Sequence, residues 1–179
     1  MLSILLPVYN YNIVEIVNDL SSQCVKLNIE HEILCYDDKS KKSFLVENSS
    51  VKEINSVVYK ELESNIGRSR IRNLLGKDSK FENLLFLDCD IKIIDENYIK
   101  NYISKINAYE VIVGGVAYSD FHESKDLYLR WKYGKCREER SATARSKHAY
   151  RAFSACNLLI KKEVFDDIKF SENLSKYGH

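Results

Sequence analysis

Two acidic side chains, Asp88 and Asp90, flank Cys89 directly after the apolar run of residues 83–87. Residues i and i+2 of an extended chain point to the same side, so these two carboxylates should lie close together. Like charges at such a separation repel unless a cation is near, and Mg²⁺ and Mn²⁺ prefer carboxylate and phosphate oxygens. The motif therefore predicts a clamp for a divalent ion and a diphosphate. The alternative is a solvated strand end in which one aspartate caps a helix.

A second acidic pair, Asp37 and Asp38, ends the apolar run 32–36. A carboxylate at this place can accept a hydrogen bond from the imide N–H of a uracil ring, although aspartate is also typical of turns and helix caps. Tyr9 follows the first apolar run, 3–8, and can stack on a base, a contact typically worth about 1–3 kcal/mol. As one of twelve tyrosines, it can equally be an ordinary half-buried side chain.

Three arginines, Arg68, Arg70 and Arg72, lie within five residues of a predicted helix. Helix N-termini attract anions, and arginine pairs with phosphate through two parallel hydrogen bonds. The arginines therefore indicate a phosphate contact. The alternative is that some are exposed to solvent or brace Asp88 and Asp37.

Motifs for several other chemistries are missing from the sequence. It contains no G-x-x-x-x-G-K-[ST] loop, no G-x-G-x-x-G and no G-x-S-x-G, which argues against a P-loop NTPase, a dehydrogenase and a serine hydrolase. The four histidines are scattered without ligand spacing. The five cysteines form no C-x-x-C pair and are expected to be free thiols in a reducing cytosol.

Length and charge describe one ordinary globular domain. The 179 residues carry a net charge of +1, with 45% hydrophobic and 30% charged residues, so we expect a single domain over residues 1–179. The near-zero charge argues against nucleic-acid binding. No run of eighteen apolar residues predicts a transmembrane segment, and the start lacks the features of a signal peptide.

The hydrophobic pattern alternates between strands and helices. With one proline and six glycines, the chain favours an α/β fold with a mostly parallel central sheet and helices on both faces. Ligands of such sheets bind beyond the carboxyl ends of the strands. The predicted strands are 3–8, 32–36, 56–59, 83–87, 111–117 and 152–160. The predicted helices are 13–27, 65–75 ending at Gly76, 95–107 and 162–167, and 39–50 is predicted as loop or frayed helix.

In their order along the chain, these segments resemble a family 2 glycosyltransferase with the GT-A fold, the Rossmann-like fold of nucleotide-diphospho-sugar transferases. The resemblance rests on SILLPVYN at 3–10, EILCYDDKS at 32–40, NIGRSRIRN at 65–73 and LFLDCD at 85–90. It continues more loosely in SACNLLIKKEVF at 154–165. It covers almost the whole chain.

The resemblance implies a nucleotide site at the ends of three strands and the start of one helix, formed by Pro7, Val8, Tyr9, Asp37, Asp38, Gly67, Arg68, Arg72 and Asp88. Within this set, Asp38 would recognise uracil. Asp90 would be the direct ligand of Mn²⁺ or Mg²⁺, with Asp88 as a second ligand near the ribose or the donor sugar. Asn157 would lie at the acceptor side.

The implied activity is metal-dependent, inverting transfer of a sugar from a UDP-sugar to a saccharide or lipid-linked acceptor in polysaccharide biosynthesis. The protein would be cytoplasmic, with peripheral association at the inner face of the membrane possible. The family's general base usually follows a segment like 171–179, so it is expected beyond His179 and the sequence is expected to be truncated.

The residues themselves leave two other functions possible. One is a nucleotide-sugar-binding or assembly module of a larger synthase without chemistry of its own. The other is a nucleotidyltransferase, which would need a glycine-rich basic loop where this chain has residues 9–12. The polar segment 121–150 has no regular hydrophobic period, and this absence predicts a mobile loop. Its basic cluster could face an anionic or lipid-linked acceptor, or solvent: Arg137, Arg140, Arg145 and Lys147.

Overall fold

The computed structural model describes residues 1–120 and 125–173. Strands and helices alternate through the first half: β1 (Leu2–Val8), α1 (Val14–Lys26), β2 (His31–Asp37), α2 (Lys42–Asn48), β3 (Val57–Glu61), α3 (Arg68–Asp78) and β4 (Asn83–Leu87). The second half adds α4 (Tyr98–Ile103), β5 (Val111–Val113), α5 (Tyr128–Tyr133), α6 (Ala142–Ser146), β6 (Asn157–Lys161) and α7 (Lys162–Ile168). The predicted α/β class is confirmed.

The strands form one six-stranded sheet in the order β3-β2-β1-β4-β6-β5. The pairs β1–β2, β1–β4 and β2–β3 are parallel, whereas β6 runs antiparallel to both β4 and β5. The carboxyl ends of β1, β2, β4 and β5 and the amino end of β6 therefore lie along one edge of the sheet. This is the edge at which ligands of open α/β sheets bind.

Two apolar layers cover the two faces of the sheet. In β1, Leu2, Ile4 and Leu6 contribute to one cluster, which also receives residues of α1 and α4. Leu5 points to the other cluster, which receives Ile71 and Leu75 of α3 and Phe165 of α7. Because β1 is buried on both faces, its sequence is a nearly continuous apolar run rather than an alternating one.

The prediction that Gly76 ends α3 was wrong. The helix begins at Arg68 and continues through Gly76 to Asp78. A Cβ atom at Gly76 would lie 2.2 Å from a ring carbon of Phe165. The missing side chain therefore permits close packing of α3 against α7, and this contact outweighs the low helix propensity of glycine.

Other element boundaries differ because tertiary contacts set them. The predicted helix 95–107 is only Tyr98–Ile103, and β5 ends at Val113 instead of residue 117. The last strand is Asn157–Lys161 rather than 152–160, since only these residues pair with β4. The segment 121–150, predicted as irregular, contains α5, a π-helical turn at Gly134–Glu138 and α6 among its described residues.

The predicted polar segment 39–50 contains α2, followed by a short 3₁₀ helix, Ser49–Glu53. Its buried Asn48 accepts a hydrogen bond from the Ile13 N–H at 3.0 Å and donates one to the Tyr11 carbonyl at 2.8 Å. These bonds fix the loop that follows β1. Nowhere in the described ranges does a helix combine the length and the apolar character needed to cross a bilayer.

Candidate functional site

Strand β1 brings the predicted site residues together, because it lies between β2 and β4. Val8 is in register with Asp37, and the Asp38 N–H donates to the Val8 carbonyl at 2.8 Å. On the β4 side, burial raises the pKa of the Cys89 thiol to about 11, while a hydrogen bond from the Tyr9 backbone lowers it. Tyr9, Asp38 and the Asp88–Asp90 motif thus lie along one stretch of the sheet edge.

Asp38 anchors the start of α3. Its carboxylate accepts the Ile66 N–H at 2.6 Å and the Gly67 N–H at 2.9 Å, and its carbonyl accepts the side-chain amide of Asn65 at 2.9 Å. A carboxylate at a helix N-terminus satisfies unpaired N–H groups and interacts favourably with the helix dipole. Each carboxylate oxygen keeps a second lone pair, so Asp38 can accept one further donor.

Asp37 is fully buried and holds the turn after β2. Its carboxylate accepts the Ser40 N–H at 2.6 Å and the Tyr59 hydroxyl at 3.0 Å. Burial raises the pKa of Tyr59, and the negative charge of Asp37 raises it further. Asp37 therefore supports the loop from inside, whereas Asp38, which is 5% exposed, holds the backbone that leads into α3.

Gly67 precedes α3 with φ of 84° and ψ of 165°. This conformation is essentially restricted to glycine, and here it aims the Gly67 N–H at Asp38. Among the described residues, no heavy atom beyond its chain neighbours lies within 4 Å of the position that a Cβ would take. The backbone at the start of α3 is therefore open to close approach by a ligand.

Arg72 connects α3 to the acidic motif. Its guanidinium donates to the Asp88 carboxylate, and it lies 5.6 Å from the ring centroid of Phe170. The Arg72 side chain is 12% exposed and that of Asp88 32% exposed. One helix thus begins on Asp38 and holds Asp88 through Arg72, which couples the positions of the two acidic residues.

The remaining nucleotide-site predictions fall into two groups by exposure. Tyr9 is 55% exposed, so its ring can be reached by a base, and Arg68 is exposed in the first turn of α3. Val8 is 1% exposed and belongs to the core, while Pro7 is partly buried in β1. Val8 can therefore shape the site only by placing its neighbours.

Asp90 is exposed, and within the described residues it has no hydrogen bond or ion pair. No group of three His, Cys, Asp or Glu side chains in residues 1–120 and 125–173 is arranged to hold a metal. Two carboxylates supply only part of an octahedral oxygen shell, and Mg²⁺ commonly completes it with water and substrate phosphates. The donor set therefore fits an ion bound together with a diphosphate rather than by the protein alone.

Asn157 is 6% exposed and lies at the centre of a buried network. Its side-chain oxygen accepts the hydroxyls of Tyr98 at 2.6 Å and Tyr102 at 2.5 Å, and its amide donates to the Gly115 carbonyl at 3.0 Å. Burial raises the pKa of Tyr102 to about 12, so its hydroxyl remains a donor at neutral pH. Asn157 fixes the backbone after β5, and its role at the acceptor side stays a prediction.

Sequence reasoning predicted a helix over residues 95–107 but missed the roles of its Tyr98 and Tyr102. Their spacing of four residues, which places both on one helix face, was the available signal. It also missed a cavity of about 770 Å³ at the β5–β6 part of the sheet edge. The end of the chain, residues 174–179, which precedes the expected general base, lies outside the described residues.

Comparison with solved structures supports the architecture. Over 98% of this chain, the structure is similar to 52% of the S. aureus TarS 1–349 chain in complex with UDP, with a TM-score of 0.70 and 19% identity. It is also similar to mannosyl-3-phosphoglycerate synthase from Rubrobacter xylanophilus, with a TM-score of 0.62, 13% identity and coverage of 92% and 55% of the two chains. The chain has the GT-A fold.

A third similar structure is the mannosyltransferase PcManGT from Pyrobaculum calidifontis in complex with GDP-Man and Mn²⁺. It has a TM-score of 0.57 and 11% identity, with coverage of 96% of this chain and 48% of that one. The chain thus spans about half the length of these solved structures. No family model and no curated protein matches the sequence, and at these identities the likeness establishes the fold.

Proposed function

We propose that this domain is a glycosyltransferase that moves a sugar from a UDP-sugar to an acceptor hydroxyl, with inversion at the anomeric carbon. The observation that carries the proposal is the coupling of Asp38 to Asp88 through α3 at the ligand edge of a GT-A sheet. The similar solved structures include complexes with UDP and with GDP-Man and Mn²⁺, which is consistent with a nucleotide-sugar donor.

In this proposal the nucleotide lies across the ends of β1 and β2. The exposed ring of Tyr9 stacks on the base, and Asp38 uses a free lone pair to accept the uracil imide N–H. The open backbone at Gly67 lets the nucleotide approach the N-terminus of α3. Arg68, in the first turn of that helix, adds positive charge on the same side.

In the proposed complex, the diphosphate would lie next to the nucleoside, at the acidic motif formed by Asp88 and Asp90 after β4. Asp90 is exposed shortly after the end of β4, while Arg72 pairs with Asp88. A bound Mn²⁺ or Mg²⁺ would supply positive charge to the diphosphate leaving group, an effect worth several kcal/mol. Asp90 would be the direct ligand, and Asp88 would orient the ribose or the donor sugar.

During transfer, the acceptor oxygen bonds to the anomeric carbon while the bond from that carbon to the diphosphate oxygen breaks. The bonding electrons leave with the diphosphate, and the acceptor proton passes to a general base. The proposal keeps this base where the resemblance puts it, in an acidic motif C-terminal to His179. The acceptor is a saccharide or a lipid-linked saccharide, met in the cytoplasm or at the inner face of the membrane.

Calorimetry with UDP, with and without Mn²⁺, tests the shared basis of this proposal. We expect Mn²⁺ to strengthen UDP binding and Asp90→Ala to abolish that gain, with unchanged unfolding because Asp90 is exposed. Asp167→Ala, an exposed aspartate of α7, is the matched control. UDP binding that responds neither to Mn²⁺ nor to Asp90→Ala would contradict the proposal. Metal-dependent binding without sugar transfer by the full-length protein would favour the binding module.

A further inference from the structure

A cavity of about 770 Å³ lies at the β5–β6 part of the sheet edge. Its lining combines residues 114–116 after β5, residues 151–154 and 156 just before β6, the aromatic residue Tyr133 and a group of basic residues. The basic groups that line it are Arg137, Arg140, Arg145, His148 and Arg151. Its volume falls within the range typical of small-molecule sites.

The cavity adjoins the acidic motif. Cys156 lines it, and the Cys156 carbonyl accepts the Asp88 N–H at 3.0 Å. Burial raises the pKa of the Cys156 thiol, and the negative charges of Asp88 and Asp90 contribute to the rise. In the sheet order, the cavity lies on the side of β4 opposite to β1 and β2. The cavity is therefore beside the sugar end of the proposed donor and away from the ends of β1 and β2, where the nucleobase is proposed to bind.

Basic side chains outnumber acidic ones in the cavity lining. Among the described lining residues Glu138 is the acidic one, and it already accepts hydrogen bonds from Tyr118 and Arg130, while Asp88 and Asp90 lie beside the cavity at Cys156. Among the described residues, Arg137 and Arg140 form no ion pair. Four arginines thus share one cavity in a chain whose net charge is only +1.

Arg145 contributes to the wall of the cavity. It donates from one terminal nitrogen to the carbonyls of Val113 at 2.9 Å and Gly114 at 3.0 Å. Its buried Nε has no hydrogen-bond partner within the described part of the chain. Part of the Arg145 guanidinium is therefore engaged by backbone carbonyls after β5. These hydrogen bonds hold its positive charge at the cavity wall.

We propose that this cavity binds an oxyanion group of the acceptor, so that the acceptor is a saccharide bearing phosphate or carboxylate. The inference rests on the proposed transferase function and names its acceptor class. Planar guanidinium groups match the paired oxygens of phosphate and carboxylate, and a cleft lined by one sign of charge concentrates ligands of the opposite sign. The position beside Asp88 would bring a hydroxyl of such an acceptor towards the donor sugar.

Binding of small probes to the 179-residue chain tests the inference without requiring turnover. Glucose, glucose 6-phosphate and glucuronate are titrated in the presence of UDP and Mn²⁺, and UDP is titrated separately. We expect both anionic sugars to bind at least about tenfold more tightly than glucose, with affinity falling as salt rises. A preference for one of them identifies phosphate or carboxylate as the recognised group.

The variant Arg137→Gln/Arg140→Gln should weaken the anionic sugars about tenfold and leave UDP binding unchanged. The control Lys26→Gln/Lys77→Gln removes the same charge from exposed positions of α1 and α3 and should have little effect. Thermal unfolding of each variant verifies that it is folded.

Two results would overturn the inference alone: no binding of either anionic sugar by a chain that binds UDP, or an equal loss of UDP binding in the arginine variant. The second result would assign the cavity to the donor diphosphate. Anionic sugars that bind a chain unable to bind UDP would instead contradict the proposed transferase function. The two proposals can therefore fail separately.

Discussion

The substitution Asp38→Asn removes a charge from the point at which β2 and α3 meet. In the native structure, its two carboxylate oxygens accept the N–H groups of Ile66 and Gly67. Asparagine offers one oxygen and one amide nitrogen in the same place. Since the amide nitrogen is a donor, one of the two backbone N–H groups would face another donor and lose its partner.

The expected loss of stability follows from these contacts. Leaving one partner of a charge-assisted hydrogen bond unsatisfied costs about 1.5–3 kcal/mol, and removing negative charge from a helix N-terminus adds about 0.3–1 kcal/mol. Together these two contributions give a destabilisation of about 2–4 kcal/mol. At about 2–4 °C per kcal/mol for a domain of this size, the melting temperature should fall by about 4–16 °C.

Urea unfolding followed by circular dichroism measures this change directly. Asp167→Asn removes the same charge from an exposed position on α7 and should remain within about 0.5 kcal/mol of the native protein. If Asp38→Asn unfolds together with this control, the argument that Asp38 anchors α3 is wrong.

Nucleotide binding by the same variant separates anchoring from base recognition. Uracil presents an N–H where cytosine presents an acceptor nitrogen, so a carboxylate at Asp38 favours UDP over CDP. Asparagine can serve either base, and we expect the preference for UDP to narrow at least about tenfold. A loss of stability with an unchanged UDP-to-CDP ratio would leave Asp38 as a helix anchor that does not read the base.

Three further perturbations test other parts of the structure. Gly67→Ala should destabilise the domain by about 1–3 kcal/mol in urea unfolding, because alanine is strained at this backbone conformation; an unchanged midpoint would refute the strain argument. Arg72→Met should lower stability by about 1–2 kcal/mol by leaving Asp88 partly buried without its partner, and adding Asp88→Asn should restore part of the loss in the same assay. Burial opposes ionisation of Glu138, but hydrogen bonds from a tyrosine and an arginine outweigh it and hold its pKa below the usual value. That stabilisation is present above the unfolded pKa of about 4.5 and is lost as pH falls through the lower folded value. Fluorescence of Trp131, the single tryptophan, should follow this local change below about pH 4.5, and Glu138→Gln should abolish the transition.

Much of the site was predictable because it follows from local sequence. The run 83–87 is apolar enough to be buried on both faces, so Asp88 and Asp90 had to emerge at its end. The same reasoning placed Asp37 and Asp38 at the end of β2, of which Asp37 is the last residue. Parallel neighbours share an edge, and the predicted convergence of these acidic pairs therefore required only the correct order of strands and helices.

The sequence did not predict which aspartate of each acidic pair makes which contacts. Asp37 and Asp38 are adjacent and chemically identical, yet Asp37 is fully buried against Tyr59 while Asp38 holds the start of α3. The difference depends on which side of the strand end each side chain leaves, and on the residues that β3 and α3 bring there. Asp88 is likewise distinguished from Asp90 by Arg72, sixteen residues earlier in the chain.

The sequence by itself determined the sheet, its ligand edge and the acidic motifs along that edge, because hydrophobic runs and the residues that end them are local properties. Tertiary structure alone decided that α3 continues through Gly76, because the ring of Phe165 occupies the space that a side chain at position 76 would take. It also decided that residues from 114–116, 133–140 and 145–156 contribute to the lining of one basic cavity. Such contacts join segments far apart in the chain, and their free energy depends on shape and charge that become complementary only after folding.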